Sequence, residues 1–114
     1  MKSISFMILM AIASHALSGM PVETGEITFL QIHNNPDSTS NSGHRFIVKL
    51  NSTSSENSCG HDQWTGYLDK DSGKAQYSAL LSAVMAGKPV MLEGTAPDRC
   101  ESGSLLLRNV YAIW

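Results

Sequence analysis

Tyr77-Ser78-Ala79-Leu80-Leu81-Ser82-Ala83-Val84-Met85-Ala86-Gly87-Lys88-Pro89-Val90 is the stretch on which the fold turns. Tyr77, Leu80, Leu81, Val84 and Met85 fall at i, i+3, i+4, i+7 and i+8, which sets one apolar stripe along an α-helix. The stripe is read as core packing or as an oligomer contact. Gly87 stands where a C′ glycine closes a helix, and Pro89 follows where no helix can continue. Upstream, Lys70-Asp71-Ser72-Gly73 reads as a turn, with Asp71 or Ser72 as the N-cap.

Strands flank this helix on both sides. Residues 25–33 are β-rich and end in the turn signal Asn34-Asn35-Pro36-Asp37. Leu30 and Ile32 face one way, Ile27 and Phe29 the other. In His44–Leu50, Phe46, Val48 and Leu50 point inward, while Arg45 and Lys49 point to solvent. These two strands form a hairpin in this reading. Residues 63–68 make a shorter third strand, residues 90–93 a fourth and residues 104–114 a long apolar fifth. The order is β-β-β-α-β-β. One helix cannot cover both faces of such a sheet. The expected fold is therefore mainly β with one helix, a small five-stranded OB-type barrel with the helix plugging one end.

Composition narrows the function. The chain has 114 residues, a formal net charge of −2 and 42% hydrophobic residues, which suits a single globular domain. Only 16% of residues are charged, against the roughly 25% usual for globular domains, and no two basic residues adjoin. That argues against disorder and against a nucleic-acid partner. Met1-Lys2-Ser3, the apolar run Ile4–Ala13 and the small residues before Met20 read as a secretory signal peptide over residues 1–19. The run is too short for a membrane span. Residues 20–114 then form the exported domain, secreted or periplasmic.

Export places Cys59 and Cys100 in an oxidising compartment, where they can pair. The bridge closes a loop of about 42 residues, worth about 4 kcal/mol in the chain-entropy model. The alternative is a free redox pair, which the absence of a Cys-x-x-Cys spacing disfavours.

No catalytic constellation emerges. His33, His44 and His61 lack helical metal-ligand spacing, so neither a metal nor a cofactor is expected. Cys59-Gly60-His61-Asp62 offers no thiolate once Cys59 is bridged. Asp71-Ser72-Gly73 matches an aspartic-protease triplet, but Lys70 precedes it and a helix follows, so it reads as a helix start. Glu93, Asp98 and Glu101 read as ordinary turn and strand-edge acids. Asn51-Ser52-Thr53 is a weak glycosylation match. The expected protein is not an enzyme.

The layout resembles the subtilase cytotoxin B-subunit family and its small secreted bacterial relatives. The resemblance rests on Gly25-x-Ile27-x-x-Leu30-x-Ile32, on Phe46-Ile47-Val48-Lys49 and on the Cys59…Trp64 spacing. Its most specific part is the segment Tyr77–Val90, and Cys100 after the fourth strand also fits. It implies an OB-type barrel, export, one disulfide and a pentameric homo-oligomer that binds sialylated glycans, with the helix lining the ring. It also implies a possible secreted catalytic subunit as partner. Sugar sites combine an aromatic face with polar groups. Trp64 and Tyr67, with His33, Asn34 and Asn35, are the candidate glycan-binding residues; the aromatics serve equally as core or subunit contacts. Trp114 is a further core or subunit anchor. The alternative is a solitary periplasmic structural or inhibitory protein of the same fold.

Overall fold

The computed structural model describes residues 20–37, 39, 43–52, 59, 62–96 and 98–113. Residues 1–19, read above as a signal peptide, and His61, Thr53 and Trp114 lie outside the described residues. The strands are β1 (Val22–Gly25), β2 (Ile27–Asn34), β3 (His44–Leu50), β4 (Trp64–Tyr67), β5 (Val90–Gly94), β6 (Cys100–Glu101) and β7 (Ser104–Ala112). The helix α1 spans Asp71–Ala86, between β4 and β5.

The five-stranded barrel is not what forms. Among the described residues the domain is mixed α/β, with 7 strands and one helix, and its sheet, not closed into a barrel, runs β1-β5-β7-β4-β3-β2, with β6 paired to β7 off that path. Two local features mark this sheet. First, the opening strand breaks at Glu26. β1 pairs antiparallel with β5 and β2 antiparallel with β3, so the two halves lie at opposite ends of the path with no ladder between them. Secondly, β4 and β7 pair in parallel. A parallel pair needs a long crossover, which α1 and β5 supply. The hairpin of β2 and β3 forms as expected, with Ile32 opposite Phe46 and Leu30 opposite Val48.

A register shift between Ile27 and Phe29 changes one side-chain direction. Ile27 stands opposite Leu50 and packs on the core, while Phe29 stands opposite Lys49. The strict alternation that put both on one face is broken by that irregularity, as bulges do.

The helix ends as its sequence says. Gly87 adopts φ 64°, where only glycine sits without strain, and Lys88 N–H donates to Ala83 O at 3.0 Å. Its start differs from expectation. Asp71 and Ser72 lie within the first turn, and the N-cap is Lys70, which makes no side-chain capping bond. The buried face also differs. Gly73, Leu80 and Ala83 are buried, Tyr77 is half-buried, and Leu81, Val84 and Met85 stay exposed. Small residues set this face. Gly73 packs directly on the Tyr67 carbonyl, and no Cβ fits there.

Phe46, Val48, Trp64, Leu80, Val90, Leu92 and Leu105 form the core. Trp64 is fully buried, and its Nε1–H donates to Glu23 Oε1 at 2.7 Å. Glu23 is 4% exposed and also accepts from Ser52 Oγ at 3.1 Å. A buried carboxylate is tolerable only when its acceptors are engaged. Cys59, packed against this core, forms the disulfide with Cys100, with Cα atoms 5.5 Å apart.

Glu23→Leu strands the Trp64 indole N–H and should lower unfolding free energy by about 1–3 kcal/mol. Adding Trp64→Phe should then cost less than the two separate losses predict, a coupling read from a double-mutant cycle in denaturant. Strictly additive losses would contradict the pairing. Replacing both cysteines by serine should lower stability by up to about 4 kcal/mol.

Candidate functional site

The five residues expected to hold a ligand do not converge. Trp64 faces the core and reaches no surface. Asn34 Oδ1 accepts from His44 Nδ1–H at 2.6 Å, across the β2–β3 pair. Asn35 forms the turn, with its N–H donating to Gly43 O and its Oδ1 accepting from Asp37 N–H. Only His33 and Tyr67 share a setting. His33 pairs with Arg45, and Arg45 pairs with Tyr67, so the three form a row across β2, β3 and β4.

Arg45 is the surprise of that row. The alternation in β3 sends it to the face opposite Phe46, which the sequence reading equated with solvent. In the structure it is 9% exposed. The segment leading into β6 reaches back to this face, and Arg45 Nη1 donates to Glu101 O at 3.0 Å. Among the described residues its Nε has no hydrogen-bond partner. Strand periodicity alone cannot reveal this cover, because it comes from residues more than fifty positions downstream.

Charge gathers around Tyr67. Arg99 Nη2 lies 3.6 Å from Glu101 Oε1, and Lys70 Nζ lies 5.3 Å from the centre of the Tyr67 ring. Burial, then a hydrogen bond to Glu101 and its negative charge, push the Tyr67 hydroxyl up to about 12, against the opposing pull of Arg99 and Arg45. The phenol therefore stays protonated at physiological pH. Beside it, a cleft of about 220 Å³ opens between the start of α1 and the β4–β7 sheet. Tyr67, Lys70, Ser72, Gly73, Gln76 and Arg99 line it. Sequence reasoning noted Tyr67 but missed Lys70 and Arg99, which adjoin it only after folding.

A different surface is apolar. Leu81, Val84 and Met85 project from α1, with Met85 82% exposed. Phe29 and Ile32 are exposed on β2, which among the described residues pairs only with β3. Tyr111 and Ile113 are exposed at the end of the chain's last strand and just beyond it. Among the described residues no group of three His, Cys, Asp or Glu side chains is placed to hold a metal. Among them, too, no helix is long and apolar enough to cross a membrane.

The raised Tyr67 value gives a signed prediction. The folded state holds the proton more tightly, so this contribution to stability is complete below about 10 and is lost as pH rises through about 12. Ultraviolet titration of phenolate should show a step near 12 that Tyr67→Phe removes and Glu101→Gln moves downward. A titration unchanged by both variants would contradict the assignment.

Three descriptions drawn from the sequence are corrected by this architecture. The open mixed sheet is not an OB-type barrel, and the toxin-B-subunit and glycan-binding descriptions that rested on that barrel fall with it. The burial of Trp64 removes the main aromatic face from the glycan reading. The expected Cys59–Cys100 disulfide is present and fits a location outside the cytoplasm. No protein-family model, no curated protein and no solved structure matches the chain.

Proposed function

We propose that this chain is an exported, non-enzymatic binding module that acts as a homo-oligomer. Export rests on the signal-like segment 1–19, and the Cys59–Cys100 bridge agrees with it. The observation that carries the reading is the apolar outer face of α1. Leu81, Val84 and Met85 are spaced as neighbours on one helical surface, and all three are exposed. Isolated exposed apolar residues are ordinary, but a contiguous set marks a contact surface.

A second surface supports the same reading. β2 offers eight residues, Ile27–Asn34, with one edge unpaired among the described residues and no lysine or proline to discourage pairing. Helix face and strand edge give one protomer two distinct surfaces for its copies. Several protomers held together then present repeated weak sites, and avidity exceeds the affinity of any one.

The oxidised protein lacking residues 1–19 should sediment as a multiple of its protomer mass at micromolar concentration. The double variant Leu81→Lys, Met85→Lys should sediment as one chain, with folding stability within about 0.5 kcal/mol of the parent, as is usual for exposed positions. A parent that remains a single chain across the micromolar range would overturn the oligomer reading. So would a double variant that keeps the parental mass.

A further inference from the structure

The side chains of β2 follow one order in both directions along the strand. From Thr28 to Asn34 they run Thr, Phe, Leu, Gln, Ile, His, Asn: polar, ring, aliphatic, polar, aliphatic, ring, polar, with Gln31 at the centre. We infer that β2 pairs antiparallel with β2 of a second copy, about a two-fold axis at Gln31. The inference rests on the oligomer reading above and assigns one of its contacts. Thr28 then faces the partner's Asn34, Phe29 the partner's His33, Leu30 the partner's Ile32 and Gln31 the partner's Gln31. A two-fold contact sets one patch against itself, so it needs this self-complementarity, whereas a strand from a different protein does not. β2 contains no Lys, Arg, Asp or Glu, so the pairing places no like charges face to face.

The backbone is the independent argument, because it allows this register. Asn35 N–H donates to Gly43 O at 2.6 Å, at the turn end of the β2–β3 ladder. On the far side of β3, Leu68 N–H donates to His44 O and Thr65 Oγ1–H to Phe46 O, each at 2.8 Å. Antiparallel ladders alternate, so Gln31 and His33 turn their backbone groups to β3, and Leu30, Ile32 and Asn34 turn theirs to the open edge. A self-pair must set even residues against even, which puts the axis on a residue rather than between two. An axis at Leu30 sets Thr28 against the partner's Ile32. An axis at Ile32 sets Thr28 against the partner's Pro36, which has no N–H to give. The axis at Gln31 avoids both and matches every position in kind. It also meets the exposure of the strand, since six of its eight residues are exposed. Phe29, 41% exposed, and Ile32, 52% exposed, lie on opposite faces, and a strand added at the edge covers both. Thr28–Asn34 alone is far fewer than the about 20–30 residues a side of a stable interface, so the pair forms within the assembly that the α1 face also holds.

Cysteine cross-linking tests the register. Gln31 and the partner's Gln31 form a non-hydrogen-bonded pair, with Cα atoms about 4.5 Å apart, within reach of a disulfide. The oxidised protein lacking residues 1–19 and carrying Gln31→Cys is exposed to air at the concentration where the parent sediments as an oligomer. Non-reducing electrophoresis should show most chains as covalent pairs, and mass spectrometry should find the peptide around position 31 linked to itself. Phe29→Cys and His33→Cys should each bridge at least about tenfold less, because their equivalent positions lie about 13 Å apart along the ladder at about 3.3 Å per residue. Mixed as free thiols, these two variants should bridge to each other. All three positions are exposed, and amide spectra matching the parent's show that the variants fold. An oligomer without a bridge at position 31 would overturn the strand pair and leave the oligomer reading standing. Equal bridging at position 33 would overturn the axis at Gln31. A parent that sediments as a single chain would overturn both readings together.

Discussion

A buried hydrogen bond from the Trp64 indole to the Glu23 carboxylate ties the first strand to the centre of the domain. The rest of the sheet is arranged around it. Glu23 belongs to β1, at one end of the path, and Trp64 to β4, in its middle. The chain breaks at Glu26 between β1 and β2, so no ladder fixes these two strands to each other. The carboxylate joins β1 to β4, and Ser52, just beyond β3, secures its second oxygen. A salt-bridged or unpaired carboxylate here would be costly, whereas this one is satisfied by neutral donors.

The same interaction divides the chain's aromatic residues by role. Trp64 is consumed by the core and is unavailable to any ligand. Tyr67, three residues on, faces the other way because successive strand residues alternate. It lands among Arg45, Arg99, Lys70 and Glu101, where its hydroxyl is held protonated. A single four-residue strand therefore supplies both the anchor of the fold and one wall of the charged cleft. The helix completes that wall, since Gly73 lets its first turn lie directly on β4.

Much of this was legible in the sequence where the signal is local. The helix, its glycine terminator, the β2–β3 hairpin and the inward set Phe46, Val48 and Leu50 follow from spacing and turn chemistry. The disulfide followed from two cysteines and an export-type opening segment. Three features were not legible. The break at Glu26 follows Gly25, which spacing placed at the start of a single strand, and it divides the opening segment between β5 and β3. The helix chose a face of small residues, Gly73 and Ala83, with Leu80, because close approach to β4 outweighed the larger apolar stripe. Arg45 was buried by residues distant in sequence, which no periodicity encodes. In each case a tertiary contact overrode a local preference.

The account holds that the apolar residues left outside this core are there for contact. Hydrogen–deuterium exchange of the oxidised protein, compared between dilute and concentrated solution, tests that most directly. Exchange at the β2 amides of Phe29–Asn34 should slow as concentration rises, while amides of β3 should stay equally protected at both. Exchange at β2 that is independent of concentration would contradict the account and leave these side chains as unpartnered surface.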